Sequence, residues 1–551
     1  MSSRPLTRRD FFKEAGRAGL AAAASPLVGS SADAESVPSD GTPEQIHLTW
    51  GEDPASSVYV SWASPAQAVN ARVTLRAASI SNKTVHAVQR TYTDGINGQT
   101  VFTYHAKIEG LQPGSTVHYE VTSDNDRNRA RPFAGSFQTA PRGRVPFRWT
   151  SYGDLATPVT SWVFSSPQSR YAVQAVEQFA PLFHLLNGDL CYANLNPATQ
   201  PAVWADFGNN VQMSAAHRPW MPCPGNHEIE FGNGPLGLDS YRTRYSLPHN
   251  GTAFPGLWYQ FKVGSALFIS LAADDVVYQD SGAFNAGPAP LRPAPSTGNA
   301  PIEAGTSLYI RGYSGGAQTR WLEETLSAAS KDDSIDWIIV QMHQDALSSS
   351  KKGNGSDKGI RETWLPLFDR YGVDLVLCGH DHDYERSWPV RGCNHNVGRD
   401  ATTGAIVDTC QPSPVITIEP ADGNYDTSRG TIHLILGGGG TTAPVDVYGV
   451  SPSSGMPQAK VITKANRPAP GAIAGTFTKP AADALEDAIW SARRDTDTGY
   501  GVAVFDLDPG IPGSKTSITI HYYHASGADQ LPTAKYELFE SLRLVKNRRD
   551  G

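Results

Sequence analysis

The chain is poor in sulfur and in charge. Its 551 residues include five cysteines and five methionines, and 18% are charged. Cys191, Cys223, Cys378, Cys393 and Cys410 stand at spacings that fit no zinc-binding pattern, which excludes a cysteine-ligated zinc fold. There is no excess of basic residues, since the net charge is −8. A nucleic-acid surface needs clustered Lys and Arg to meet the phosphate backbone, so that class of partner is excluded. No internal stretch reaches the roughly 18 apolar residues that a membrane span requires. No internal repeat is present. Glycine (52) and proline (40) are plentiful, which suits a loop-rich α/β or β-rich enzyme. The length exceeds one ordinary core, and two or more domains are expected.

Residues 1–34 read as an address rather than as fold. Thr7-Arg8-Arg9-Asp10-Phe11-Phe12-Lys13 is a twin-arginine signature. A weakly apolar stretch runs from Ala18 to Gly29, and Ala32-Asp33-Ala34 offers small residues for cleavage. The expectation is export by the twin-arginine machinery to a periplasmic or extracellular location. An exported protein can form disulfides, and Cys393 and Cys410 bracket a loop and are the expected pair. Cys191, Cys223 and Cys378 lie in apolar or motif segments and read as buried free thiols.

From residue 43 to 141 short alternating strands are separated by turns. Gln45–Trp50, Ser57–Trp62, Val73–Leu75 and Val117–Val121 are examples, at sandwich-like spacing. Glu109-Gly110-Leu111-Gln112-Pro113-Gly114 ahead of a strand with a Tyr looks like a fibronectin-type sandwich. This domain holds no clustered catalytic residues and reads as a scaffold or a substrate-side wall.

After Arg142 apolar strands alternate with helices, as in a layered α/β architecture. Strands are predicted at Phe147–Tyr152, Leu182–Asn187, Ala266–Leu271, Trp337–Gln341 and Val373–Cys378. Helices are predicted at Ser169–Ala180, Gln318–Ala329 and Ile360–Tyr371. Thr431–Leu436, Val502–Leu507 and Ser517–Tyr523 are predicted to complete a second sheet. This domain is expected to run from 142 to 530, with surface insertions at about 274–315, 392–430 and 441–495, and 531–551 is expected to be a tail.

Five motifs stand at or just after the predicted strands: Gly153-Asp154, Gly188-Asp189-Leu190-Cys191-Tyr192, Gly225-Asn226-His227-Glu228, Met342-His343 and Gly379-His380-Asp381-His382. Strand ends are where open α/β sheets place ligands. A glycine there is expected to turn the backbone so that the next side chain enters the crevice. Carboxylate, imidazole, amide oxygen and phenolate are metal donors, and this mixture suits Zn, Fe and Mn. A lone Gly-Asp is usually a turn, and a lone His on an apolar strand is usually a satisfied core group. Five such pieces in order, each at a strand end, form a different signal. His184, inside an apolar strand, is read as merely buried, and His217, His433, His521 and His524 are given no role.

The set resembles the calcineurin-like metallophosphoesterases, and the Tyr192 three residues after Asp189 resembles the purple acid phosphatases. His382-Asp383-Tyr384-Glu385-Arg386 is similar to that family's last motif. The resemblance implies a fibronectin-III-like β-sandwich followed by a four-layer α/β/β/α catalytic domain. It implies that Asp154, Tyr192 and His382 bind Fe(III). Asn226, His343 and His380 would then bind a divalent Zn, Mn or Fe, with Asp189 bridging the two. Anionic oxygen donors suit a hard trivalent ion, and neutral imidazoles with an amide oxygen suit a divalent one. Metal coordination lowers the pKa of water and yields a hydroxide nucleophile. His227 is the expected phosphoryl-oxygen partner or leaving-group acid, with Glu228 orienting it or the ligand shell.

The chain departs from the family pattern at three places. Ala156 stands where the first motif commonly has Gly, and Gly437-Gly438-Gly439-Gly440 lacks the usual Asp. Plant-type members carry one or two histidines shortly after the His343 position, whereas residues 344–379 here contain none. Lys351 and Lys352 stand there, either as phosphate partners or as a solvated loop. The leading reading is phosphomonoester hydrolysis. Phosphodiesterase or nucleotidase action on the same centre is the alternative, and an inert surface-binding module is a third reading that the complete ligand set opposes.

Overall fold

Ser57–Ser64 alternates so that Val58, Val60 and Trp62 turn to one side, where all three are buried. Thr116–Thr122 repeats the pattern with Val117, Tyr119 and Val121. These strands anchor the two antiparallel sheets of an N-terminal β-sandwich. One sheet has the order Glu44–Trp50, Ser57–Ser64, Thr100–Glu109, Val88–Thr93. The other runs Ile80–His86, Arg72–Ala77, Thr116–Thr122, Phe133–Gln138. The computed structural model describes residues 41–77, 80–125, 131–230, 232–279, 312–350, 354–441, 448–463, 484–526 and 532–550. The expected signal segment 1–34 lies outside the described residues, as do Lys351 and Lys352.

Two seven-stranded mixed sheets form the middle of the second domain. In the first, Phe147–Tyr152, Phe183–Asn187 and Trp220–Cys223 run parallel. Gly501–Asp508, Lys515–Ala525 and Tyr536–Asn547 continue it antiparallel, and Asn424–Asp426 forms its edge. In the second, Ala266–Ser270, Trp337–Gln341, Leu375–Cys378 and Ile432–Leu436 run parallel. Tyr259–Val263 flanks one side, and Tyr384–Ser387 and Ser491–Arg494 flank the other. The sheets meet through aromatic rings: Phe268 lies edge-on to Trp149 and Phe183, with centroids 5.3 and 5.1 Å away. Near the strand ends the seam turns polar. Gln341 Nε2 donates to Leu186 O at 2.8 Å, and Asn187 Nδ2 donates to Cys378 O at 3.2 Å. Helices complete an α/β/β/α stack. Gln168–Phe179 buries Ala172, Val173, Ala175 and Val176, an i, i+1, i+3, i+4 stripe.

Several sequence expectations need correction. The three late strands do not share a sheet: Ile432–Leu436 joins the second, while Gly501–Asp508 and Lys515–Ala525 join the first. The helix expected over 360–371 is two, Lys358–Thr363 and Leu365–Tyr371. Pro366 sits at the start of the latter, where its missing N–H costs nothing. The expected tail contains the 12-residue strand Tyr536–Asn547. Segments expected to be surface insertions are partly structural. Strands from 398–407, 449–462 and 484–487 build a third sheet with Ser356–Asp357. Buried Arg361 ties that sheet inward, donating to Ala346 O at 2.7 Å and Thr409 O at 3.1 Å and pairing with Glu486 at 2.8 Å. Cys393 and Cys410 are joined in a disulfide, and Cys191, Cys223 and Cys378 are buried free thiols. His184 is buried with Nδ1 2.9 Å from Thr150 Oγ1.

Candidate active site

Five parallel strands from the two sheets deliver their C-terminal ends to one place. Phe147–Tyr152 leads to Asp154, Phe183–Asn187 to Asp189 and Tyr192, and Trp220–Cys223 to Asn226 and His227. From the other sheet Trp337–Gln341 leads to His343, and Leu375–Cys378 to His380 and His382. Backbone bonds lace the loops together: Gly153 N donates to Leu436 O at 2.7 Å, and Gly379 N to His343 O at 3.0 Å. All seven proposed ligands are buried.

The turning role expected of the motif glycines falls mostly to the residues beside them. Asp154, Asp189, Tyr192 and His380 themselves hold positive φ, between 50° and 69°. Among the preceding or neighbouring glycines only Gly188 does so, with φ 78°. Gly225 and Gly379 serve close approach. A Cβ on Gly225 would stand 2.3 Å from Asp189 Oδ1, and one on Gly379 2.5 Å from Asp154 Oδ2. A left-handed non-glycine residue costs on the order of 1–3 kcal/mol, and four of them persist only because surrounding bonds over-determine them.

The side chains form two neighbouring groups. In the first, the Tyr192 hydroxyl donates to Asp154 Oδ1 at 2.9 Å and lies 3.1 Å from His382 Nε2, which is 3.3 Å from Asp154 Oδ1. In the second, His343 Nε2 lies 3.0 Å from Asp189 Oδ2 and 3.2 Å from His380 Nδ1. Asp189, His343 and His380 each direct one donor atom into a common space within 4.8 Å. The groups are stitched together: His380 N donates to Asp154 Oδ2 at 2.8 Å, and the Asp154 carboxyl feels the charges of His343 and Asp189.

The donor set fits cations. Asn226 Oδ1 is buried and has no hydrogen-bond partner among the described residues. Such an orphaned acceptor costs about 1–3 kcal/mol unless something electropositive meets it. Burial, then the charges of Asp154 and Asp189, push the Tyr192 phenol well above its ordinary value, so only an adjacent cation makes it a phenolate. Burial opposes the charge on His343, but Asp189 and Asp154 overcome it and raise its pKa. Burial likewise opposes ionisation of Asp189, and His343 and His227 hold its carboxyl below the ordinary range.

A surrounding layer positions these groups. Glu228 accepts from Asp189 N, Leu190 N and Gly225 N at 2.9, 2.8 and 2.7 Å. Asn187 O faces His343 Nδ1 at 2.7 Å. Asp381 accepts from Asn354 N and Gly355 N at 2.6 and 2.8 Å, and Glu385 accepts from Ser349 N at 2.9 Å. These bonds anchor the chain on both sides of Lys351 and Lys352. His227 is buried, with Nδ1 2.9 Å from Asn194 Oδ1 and Nε2 3.8 Å from Asp189 Oδ2. Nothing in the sequence marks Asn194 beyond its place two residues past Tyr192. Asp274, which no motif marks, accepts from Gln344 Nε2 at 2.7 Å, and burial, opposed by His343, pushes its carboxyl up to about 7.

The four-glycine run explains itself by space. A Cβ on Gly438 would stand 1.6 Å from Gly499 O, and one on Gly439 2.4 Å from Gly153 O. Gly440 N and Thr441 N both donate to Asp154 O, at 3.1 and 3.0 Å, and hold that left-handed residue in place.

Known proteins resemble this chain in sequence and in fold. Residues 43–140 match the family model of the purple acid phosphatase N-terminal domain, and residues 153–384 that of calcineurin-like phosphoesterases. An uncharacterized protein of Mycobacterium tuberculosis is 41% identical over 494 residues, covering 88% of this chain and 84% of that one. The Fe(3+)-Zn(2+) purple acid phosphatase 12 of Arabidopsis thaliana is 27% identical over 366 residues, 65% of this chain and 68% of the relative. The structure of a purple acid phosphatase from yellow lupin (Lupinus luteus) seeds superposes with a TM-score of 0.61 at 19% identity, covering 93% of this chain and 75% of the lupin chain, which shows a common fold. An N-terminal sandwich, a two-sheet catalytic domain and a metallophosphoesterase motif set with its tyrosine lie in one chain, and the chain belongs to the purple acid phosphatase family, phosphoric ester hydrolases of the calcineurin-like type.

Proposed function

We propose that the chain hydrolyses phosphomonoesters at a dinuclear metal centre. The observation that carries this is the pair of donor groups where the C-terminal strand ends of the two sheets meet, with Asn226 Oδ1 buried beside them and lacking a hydrogen-bond partner among the described residues. Asp154, Tyr192 and His382 would hold Fe(III), and Asn226, His343 and His380 a divalent ion, with Asp189 between. The Arabidopsis relative's name carries Fe(3+) and Zn(2+), which supports that pair of metals. Two cations so held would supply Lewis acidity toward phosphoryl oxygens and an acidified water. The chain's own groups then decide orientation and proton traffic. Nδ1–H of His227 donates to Asn194 Oδ1, which turns Nε2 toward the site. From there it can stabilise a phosphoryl oxygen or protonate the departing alcohol. Lys351 and Lys352 are proposed to meet the phosphate, and the twin-arginine segment to direct export. The experiment is a panel of aryl and alkyl monoesters and a diester, run with metal analysis of the purified protein. Two metals per chain and faster monoester turnover support the proposal. A diester cleaved fastest moves the assignment to phosphodiesterase, and metal-bound protein inactive on every ester supports the inert module.

A further inference from the structure

One more strand of the second sheet ends near this place without a recognisable motif. Ala266–Ser270 runs parallel to Trp337–Gln341 and leads into Leu271–Gln279. That segment is firmly held. Leu271 N donates to Gln341 O at 2.9 Å, and Ala272 N to Gln318 Oε1 at 2.8 Å. Tyr278 N and Gln279 N then donate to the two oxygens of Asp357, at 2.9 and 2.7 Å. The Asp357 clamp turns the Gln279 side chain inward, where it is buried and its amide Nε2 stands against Nε2 of His380. Gln279 Oε1 is buried with no hydrogen-bond partner among the described residues.

The two imidazoles of the second donor group use opposite nitrogens. His343 turns Nε2 toward Asp189 and gives Nδ1 to Asn187 O. His380 turns Nδ1 toward His343 Nε2, which leaves Nε2 as its outer nitrogen. A ligating histidine needs an acceptor on its outer N–H, because that bond fixes the tautomer, the ring angle and the basicity of the ligating nitrogen. An amide nitrogen cannot accept from Nε2–H, but the amide's oxygen and nitrogen are nearly isosteric, and exchanging them brings Oε1 to Nε2–H, which satisfies both that proton and the otherwise unpartnered Oε1. We infer that Gln279 is the positioning residue of His380: it fixes the tautomer with Nδ1 as the lone-pair donor, and so sets how tightly the divalent ion is held. Because the acceptor is a neutral amide, the imidazole stays less basic than a carboxylate would make it.

This inference rests on the two-metal reading, and its test separates the two. Wild-type, Gln279→Met and Gln279→Glu proteins are stripped with chelator, and the Tm of each metal-free protein is measured. Iron is restored, and zinc affinity is then read by competition with a chromophoric chelator while the visible absorption reports the iron site. Methionine keeps the bulk and removes the acceptor; glutamate keeps the acceptor and strengthens it. The expected result is a roughly 10–100-fold weaker zinc affinity for Gln279→Met with unchanged metal-free Tm and absorption, and wild-type or tighter affinity for Gln279→Glu. Wild-type zinc affinity in Gln279→Met overturns the inference. So does an equal loss in both variants accompanied by a lowered metal-free Tm, which marks a purely structural residue. A wild-type protein that takes up fewer than two metals overturns the two-metal reading itself.

Discussion

Glu228 accepts the backbone N–H of Asp189 at 2.9 Å across 39 residues of sequence. The same carboxylate accepts from Leu190 and Gly225, so one side chain ties the loop carrying Asp189 and Tyr192 to the loop carrying Asn226. Glu228→Gln would aim an amide N–H₂ at backbone donors and leave a buried N–H unmatched, at a cost of about 1–3 kcal/mol. The expected outcome is a lower Tm and reduced content of both metals, read by calorimetry and elemental analysis. A variant that keeps both metals and wild-type Tm would remove Glu228 from this role.

Tyr192 is the proposed donor that would give an iron site its signature. If it binds Fe(III), phenolate-to-metal charge transfer gives the purified protein a visible absorption band. Its hydroxyl now bonds Asp154 and lies beside His382, and Phe fits the same space. Tyr192→Phe is expected to abolish the band while leaving the fold intact by circular dichroism. A colourless wild-type protein with two zincs and full activity would refute the iron assignment and leave the two-metal one standing.

The metal-free protein has a pH dependence of known sign. Asp189 and Asp154 raise the folded-state pKa of His343 from its ordinary value to about 10. A raised imidazole pKa stabilises the fold fully below the unfolded value, and that stability fades as pH climbs through the folded one. Chelator-treated protein should therefore lose stability between about pH 6.5 and pH 10. Ligation requires neutral His343, so zinc uptake near pH 7 should release protons. Denaturant midpoints across that range and calorimetry in two buffers check both statements. The His343→Ala protein should lack the alkaline loss.

His227 and Asn194 should act together. General-acid help is typically worth ~10²–10⁴-fold for a poor leaving group. His227→Ala is expected to damage kcat/KM for an alkyl phosphate far more than for an aryl phosphate. Asn194→Ala should reproduce part of that bias, because it frees the ring that Asn194 orients. Equal losses on both esters would reassign His227 to phosphate binding or metal support. Replacing Lys351 or Lys352 is expected to raise KM for both esters alike.

The proposed metal donors are legible because each lies within a few residues of an apolar strand, so that period, glycine and ligand type appear in one window. Gln168–Phe179 and Trp337–Gln341 were legible for the same local reason. Other elements leave no such mark. Gln200–Ala215 contains Pro201, Gly208, Asn209 and Asn210, a poor intrinsic helix, and part of its support comes from elsewhere. Asn209 Oδ1 accepts from Gln45 N, and Gln212 Oε1 from Ile46 N. In Tyr536–Asn547 only Leu542, Leu544 and Val545 are buried, too few to separate a strand from a tail.

The sequence by itself determined the chemistry of the site: which carboxylates, imidazoles, amide and phenol stand at strand ends, and in what order. Only the tertiary structure decided which sheet each strand joins, because an apolar pattern reports burial and not partner; Leu375–Cys378 and Phe183–Asn187 are equally buried yet sit in different layers. It also decided the environment of each of these side chains. Gln279 and His380 are 101 residues apart, and Asn194 and His227 are 33 apart. Contacts of that kind depend on loop paths set by bonds such as those from Asp357, which no local propensity encodes.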